Sequence, residues 1–473
     1  MKIRPAFDYD VAVLGGGSAG YAAAKTAAEA GLKAVVIESA HELGGLCILR
    51  GCMPSKALLY AADVLHLARN AKTWGLKIPK SGFDFKAVMA RKQAMIADFA
   101  DYRAEQLQSG AFELLRARAQ FVDPHTLTLS HSRGRSPQSL RAKNFIIGTG
   151  SISAPALLPH LREIGYLTSD TALNLKRLPK SLIVLGGGPI AVELAQFFCR
   201  FDVKVTLIQR SEHLLREFDT DAASALEKAL ERDGIQLWSN TKLVGAFREK
   251  RRKGIAFQYQ HQTRRVIAQE ILFALGRLPA TRGLGLEKMG VDTEDGRIVV
   301  NAQMQTSVPH IYAAGDCASP YQIVHIGVEQ GEIAARNIAH PGKKQSIDYR
   351  LLTSVVFTDP QVASVGLTEK QACLRNIPFI AASFPFNDHG KSMIMEVKDG
   401  FVKLLANPDT GEILGGACVG PFGGELIHEI IAAMQKRMTV GELAAMPHYH
   451  PTLAEIWTYP AAHLAGCIKT PGK

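Results

Sequence analysis

No stretch of this sequence approaches the roughly 18 consecutive apolar residues that a membrane-spanning helix needs. The apolar opening from Ile3 to Leu14 is broken by Arg4, Asp8 and Asp10, so neither a membrane anchor nor a secretory leader is expected. Cysteine is scarce, seven in 473 residues, which excludes the disulfide framework of a small secreted domain and suits a cytoplasmic protein. Acidic residues are outnumbered, 44 against 55 basic ones, for a net charge of +11. Such an excess raises nucleic acid or another anionic surface as a partner. The densest basic cluster, however, is Lys250, Arg251, Arg252 and Lys253 with Arg264 and Arg265, and it flanks a strand-like stretch from Ile255 to Tyr259. That pattern reads as a solvated hairpin, and no nucleic-acid partner is expected. A hydrophobic content of 47% with 21% charge excludes disordered, collagenous and coiled-coil chains. The length, about three times a typical domain of roughly 150 residues, calls for several cores.

What is present is one phrase used twice. Asp10 to Leu14 reads as a short strand, followed by Gly15-Gly16-Gly17-Ser18-Ala19-Gly20, an alanine-rich helix to Ala30 and a second strand from Ala34 to Ile37. In that context a G-x-G-x-x-G sequence marks a dinucleotide site. Gly15 makes the turn, Gly17 admits the pyrophosphate, Gly20 lets helix meet strand, and the helix-start amides hold phosphate. Glu38, at the end of the second strand, is placed to accept the hydroxyls of an adenosine ribose. The phrase returns at Leu182 to Leu185, then Gly186-Gly187-Gly188-Pro189-Ile190-Ala191, a helix through Phe198 and a strand from Val203 to Ile208. Two such sites imply two cofactors. At the second, the acid at the strand end is missing: Gln209 stands there with Arg210 beside it, and Arg216 follows. The absent carboxylate and the adjacent guanidinium favour NADP(H) over NAD(H), and Arg216 offers a second positive contact.

After the first repeat comes Gly44-Gly45-Leu46-Cys47-Ile48-Leu49-Arg50-Gly51-Cys52-Met53-Pro54-Ser55-Lys56. Two cysteines five apart can close a small disulfide ring at a helix start, where amide dipoles stabilise a thiolate. No second cysteine pair or histidine set nearby completes a zinc site, so no metal is expected. Near the carboxy terminus, His450 and Glu455 form a further candidate pair, because histidine titrates nearest neutrality and a carboxylate behind it can orient the imidazole. His448 and the lone tail cysteine Cys467 read as structural or surface residues.

The Gly44–Lys56 segment resembles the active-site motif of the class I pyridine nucleotide-disulfide oxidoreductases, which include dihydrolipoamide dehydrogenase, glutathione reductase and mercuric reductase. Ala313-Ala314-Gly315-Asp316 resembles the family's second flavin motif, and His450-Pro451-Thr452-Leu453-Ala454-Glu455 its carboxy-terminal catalytic motif. The resemblance implies an α/β fold with two Rossmann-like dinucleotide-binding domains and a carboxy-terminal α+β dimerisation domain. The FAD-binding domain would span 1–152, completed by 276–345, the NAD(P)-binding domain 153–275 and the interface domain 346–473. FAD would be held by Gly15, Gly17, Gly20, Glu38, Lys56, Gly150 and Asp316, with Asp316 on the ribityl chain. NAD(P) would be held by Gly186, Gly188, Ala191, Glu193, Arg210, Arg216 and Gly276. In the family, the cysteine matching Cys52 faces the flavin, the one matching Cys47 exchanges with substrate, and Lys56 pairs with Glu193. His450 and Glu455 would act across a homodimer interface, with a peptide before Pro451 that is commonly cis.

Within the family, the tail has the single Cys467 and keeps the His-Glu dyad, which argues against mercuric reductase and a large thioredoxin reductase. Ser55 before Lys56 follows the lipoamide dehydrogenase form. Glu332 stands where glutathione reductases place an arginine for a substrate carboxylate, and a negative charge there would repel glutathione. The expected function is electron transfer between lipoamide or a lipoyl protein and NAD(P)(H) through Cys47 and Cys52. The alternatives are NADPH-dependent reduction of glutathione or another small disulfide, and reduction of quinones or metal compounds from the flavin.

Overall fold

The computed structural model describes residues 6–79, 81–131 and 136–468. The chain divides into two compact units. The first comprises Met1–Ser55, Met89–Pro155 and Gly276–Asp348, and the second Lys56–Val88, Ala156–Leu275 and Tyr349–Lys473.

In the first unit the strand Tyr9–Leu14 is buried without a break from Val11 to Leu14, the pattern of a strand covered on both faces. Parallel strands Ala34–Glu38 and Gln138–Ile147 flank it, with Glu113–Arg116 beyond the former and Ile311–Ala313 beyond the latter. Parallel pairing brings the carboxyl ends of the first two strands together, so the turn after Leu14 and the side chain of Glu38 are neighbours. The helix Ser18–Glu29, rich in alanine, lies close against Val324–Ala339: a Cβ on Gly331 would stand 2.3 Å from the carbonyl oxygen of Ala19. Phe121 and Phe145 meet edge to face at 4.9 Å in the core beneath.

In the second unit, Ser181–Leu185 is flanked by Lys204–Ile208 and Glu270–Phe273, with Gln236–Trp238 outermost, in a four-stranded parallel sheet. The helix Pro189–Arg200 follows the first of these strands, opened by a proline whose missing N–H costs nothing there. Lys242–Glu249, Arg252–Tyr259 and Gln262–Ala268 form a separate antiparallel sheet, so the basic run is a hairpin with Lys250 and Arg251 at its tip. Arg265 lies over the Phe247 ring at 4.0 Å, and Lys253 pairs with Glu270 at 2.5 Å. From Thr353 onward a five-stranded antiparallel sheet carries the helices Gly423–Gln435 and Thr458–Cys467, with Trp457 fully buried among them.

Two groupings were not expected from the sequence. Residues 56–88 belong to the second unit because the buried Arg200 reaches Asp63 at 2.7 Å, as well as Asp233 and Asp359. Arg69 grips Asp202 through both terminal nitrogens, at 3.0 and 2.8 Å. The carboxy-terminal sheet joins the same unit partly through Lys403, a buried lysine held by Asp219, Asp221 and Glu369 at 2.6 to 3.0 Å. A buried ammonium is tolerable only with such partners. The chain passes between the two units at Pro155/Ala156 and at Leu275/Gly276. Among the described residues, no helix is long and apolar enough to cross a membrane.

Candidate active site

The turn after Leu14 is built around backbone crowding. Gly15 has φ +101°, and a Cβ on Gly20 would fall 1.9 Å from the Gly15 carbonyl oxygen, so only glycine allows the helix to start that close. Glu38 closes the turn: its carboxylate accepts from Gly16 N at 2.8 Å and from Ala40 N at 2.7 Å. Across the same unit, Asp316 accepts from Ser151 Oγ at 2.6 Å, and Arg277 Nε donates to that hydroxyl at 2.9 Å. The Gly315 amide donates to the buried side chain of Gln330 at 2.8 Å. Gly150, one residue from Ser151, has open space on its Cα face.

The cysteine motif forms two successive helices, Gly45–Arg50 carrying Cys47 and Cys52–Arg69 opened by Cys52. Gly51 separates them at a sharp fold, where a Cβ would lie 3.2 Å from Cys47 Cα. The first of these helices begins against the glycine turn, since a Cβ on Gly45 would stand 2.7 Å from Gly17 Cα. Both cysteines are partly buried. Burial pushes the thiol of Cys199 up to about 11 and raises those of Cys317 and Cys418, which suits inert packing. Cys373 and Cys467 are exposed.

In the second unit, Lys56 Nζ lies 2.8 Å from Glu193 Oε2 and 4.5 Å from the centre of the Phe357 ring, while Glu193 Oε1 accepts from Phe357 N at 2.9 Å. The nearly buried carboxylate is thereby matched by an ammonium and an amide. Gly186 repeats the tight turn with φ +125°, the Ala191 methyl is fully buried, and Gly188 faces open space; so, in the first unit, does Gly276. Gln209 is buried at the strand end, donating its amide to Ser211 O at 2.6 Å. Arg210 is exposed beside a broad cleft that also takes in His213, Asn240, Lys242 and His261. Arg216 is exposed and paired with Glu217 at 2.9 Å.

His450 and Glu455 also lie in the second unit. His450 Nδ1 stands 3.0 and 3.2 Å from the two Glu455 oxygens, and the His450–Pro451 peptide is cis. The imidazole is 78% exposed while the carboxylate side chain is 12% exposed, so the pair presents one exposed ring from a buried support. Burial works to raise the Glu455 carboxyl, but the hydrogen bond and charge of His450, with His389 nearby adding to them, hold it below the ordinary range. His448 faces elsewhere, bridging Glu429 at 2.6 Å and Met446 O at 2.9 Å.

Residues 9–331 match the family model described as pyridine nucleotide-disulphide oxidoreductase, and residues 352–461 match that family's dimerisation domain. The chain belongs to the pyridine nucleotide-disulphide oxidoreductase family. It is 36% identical over 455 residues to a dihydrolipoyl dehydrogenase of Geobacillus stearothermophilus, covering 95% of each chain. It is 37% identical to one of Thermus scotoductus, covering 94% of this chain and 95% of that one. Among solved structures, LpdA from Mycobacterium tuberculosis superposes with a TM-score of 0.87 at 28% identity, covering 96% of this chain and 99% of that chain. The HOCl-induced flavoprotein disulfide reductase RclA from Escherichia coli does so with 0.84 at 25% identity, with the same coverage.

As a member of this oxidoreductase family the chain is a flavoprotein that uses FAD and a pyridine nucleotide. Its residues fit both: a glycine cradle that a single Cβ would fill, and a second turn with open space beside Gly188. Of the residues singled out by sequence, the structure brings together Lys56 with Glu193, His450 with Glu455, and Glu38 with the first turn. Glu332 is ion-paired with Arg336 at 2.8 Å, one helical turn on, which tempers its negative charge. The supports that sequence missed are Ser151 and Arg277 behind Asp316, Phe357 behind Lys56, and His389 behind Glu455. Each depends on contacts distant along the chain and has no local signature.

Proposed function

We propose that this chain works as a homodimeric FAD enzyme that oxidises a dihydrolipoyl dithiol and passes the electrons to a pyridine nucleotide through Cys47 and Cys52. The observation that carries the reading is the start of the Cys47 helix against the first glycine turn, which ties a thiol pair to a dinucleotide site. The names of the relatives, dihydrolipoyl dehydrogenases over nearly the whole length, support the substrate class.

In this reading His450 Nε2 takes the proton of a substrate thiol, its Nδ1–H being committed to Glu455. The substrate thiolate attacks Cys47 Sγ, the Cys47–Cys52 bond breaks, and Cys52 leaves as thiolate. The second substrate thiol then attacks the substrate sulfur of the mixed disulfide as its proton passes to the departing Cys47 sulfur, which breaks the Cys47–substrate bond and closes the substrate's own disulfide. FAD, when bound, supplies the route by which the electron pair leaves the cysteines and reaches the nicotinamide as hydride. Gly15, Gly17, Gly20, Glu38, Gly150 and Asp316 would hold the flavin nucleotide. Gly186, Gly188, Ala191 and Gly276 would hold the pyridine nucleotide. Gln209 and Arg210 support acceptance of a 2′-phosphate, hence use of NADP(H) alongside or before NAD(H). The exposed His450 supports a dyad that serves the cysteine pair of the other copy. A cytoplasmic setting completes the reading, since thiols persist there.

Reduction of a small disulfide such as glutathione by NADPH is the second reading, favoured by the Glu332–Arg336 ion pair and by the reductase name of RclA. Assay of the yellow protein with dihydrolipoamide, comparing NAD and NADP, decides between them. Turnover that is lost in Cys52→Ser while FAD stays bound is the expected result. Wild-type turnover in Cys52→Ser overturns the cysteine mechanism, and reduction of glutathione disulfide without dihydrolipoamide turnover moves the substrate class.

A further inference from the structure

Glu455 is shared. On one side it accepts from His450. On the other, its Oε1 lies 3.3 Å from Nε2 of His389, an imidazole that is fully buried and whose Nε2 has no geometrically good hydrogen bond among the described residues. His389 Nδ1 stands 2.8 Å from the hydroxyl of Ser392, also fully buried. The His389 ring is set edge-on to Tyr459 at 6.1 Å, and Tyr459 stacks on Phe384 at 4.1 Å, so apolar rings close the pocket.

The tautomer follows from these neighbours. A lone pair on Nε2 facing a carboxylate would be repulsive, whereas Nε2–H facing it is attractive and leaves Nδ1 to accept from Ser392 Oγ–H. We propose that His389 is a positioning residue for His450: its Nε2–H and the Ser392 hydroxyl behind it fix the Glu455 carboxylate, which in turn fixes the orientation and basicity of the exposed imidazole. The inference rests on the reading of His450 as the proton acceptor and deepens it. Burial, opposed by Glu455, holds His389 below the ordinary histidine range, so it acts as a neutral donor. The charged and titratable groups around it are Glu455, His450, the phenol of Tyr459, and beyond them the His448–Glu429 pair.

A neutral donor on Oε1 spreads the carboxylate charge and lessens its pull on the His450 proton. Without that donor, more of the charge falls on His450, its imidazolium is favoured, and the low-pH limb of the dithiol reaction moves up. The test uses the FAD-bound dimer. In His389→Phe, dihydrolipoamide turnover is expected to fall about tenfold and its low-pH limb to rise by roughly half a pH unit, while reduction of the flavin by NADH is unchanged. His389→Gln, which restores an N–H, recovers most of the loss, and Ser392→Ala gives a smaller shift of the same sign. A wild-type pH profile in His389→Phe overturns the proposal. If that variant holds no flavin, Ser392→Ala decides, with an unmoved limb counting against and an upward shift in favour. His450→Gln separates the two readings: full dithiol turnover there sinks the dyad itself, whereas a dead His450→Gln beside unchanged His389→Phe and Ser392→Ala removes only the positioning role.

Discussion

The two glycine turns are the same phrase built to different tolerances. At the first, the third motif position admits no side chain, and the strand ends in a carboxylate that takes two backbone amides, Gly16 N and Ala40 N. At the second, a methyl sits fully buried at Ala191, and the strand ends in a neutral amide whose NH₂ is held by Ser211 O. A Cβ on Gly187 would lie 2.6 Å from Gln209 Oε1, so the amide oxygen occupies the place that a carboxylate takes in the first turn. The motif therefore sets the path of the backbone, while charge at the strand end and room at the helix start decide which nucleotide the turn receives.

Exchanging the third-position residues should separate the two turns most strongly. Gly20→Ala puts a carbon 1.9 Å from a backbone oxygen that cannot move without the strand, a loss expected to exceed about 4 kcal/mol and to abolish FAD retention. Ala191→Gly removes one buried methyl near a helix start and should cost about 1 kcal/mol, with nucleotide binding retained. Flavin absorbance after gel filtration and thermal melting of both variants measure the contrast. Equal losses in the two would mean that the crowding at Gly20 relaxes and that the turns differ less than their contacts imply.

The strand ends come next in size. Gln209→Glu places a carboxylate beside the second turn, as Glu38 is placed beside the first, and should shift the kcat/KM ratio toward NADH by about tenfold, or roughly 1.4 kcal/mol. Arg210→Ala should act in the same direction by removing the exposed guanidinium, weakening NADPH more than NADH. An unchanged ratio in both variants would end the argument for a 2′-phosphate at this site.

The elements of both turns could be read from the sequence because each depends on near neighbours: an apolar run, a glycine spacing, an alanine-rich helix. The cysteine pair at a helix start was legible for the same reason, and so was the pairing of His450 with Glu455, five residues apart. What could not be read lies far along the chain. Residues 56–88 join the second unit through Arg200 and Arg69, whose carboxylate partners are more than a hundred residues from one another or from the arginine. His389 reaches Glu455 only because the carboxy-terminal sheet and the turn Ala454–Trp457 fold together. Buried polar partners of this kind are satisfied by tertiary contact and leave no periodicity behind.

Arg216 gives the smallest and most discriminating case. Its guanidinium is exposed and already pairs with Glu217, and such surface pairs are worth less than about 1 kcal/mol. If it stays with Glu217 when nucleotide binds, Arg216→Ala should change the NADPH-to-NADH ratio less than about threefold, well below the effect of Arg210→Ala. Glu217→Gln tests the same point from the other side, since freeing the guanidinium should improve NADPH alone. A loss in Arg216→Ala as large as that in Arg210→Ala would show that the arginine leaves its carboxylate for the phosphate, so that charge recruited on binding, as well as charge built into the strand end, separates the second turn from the first.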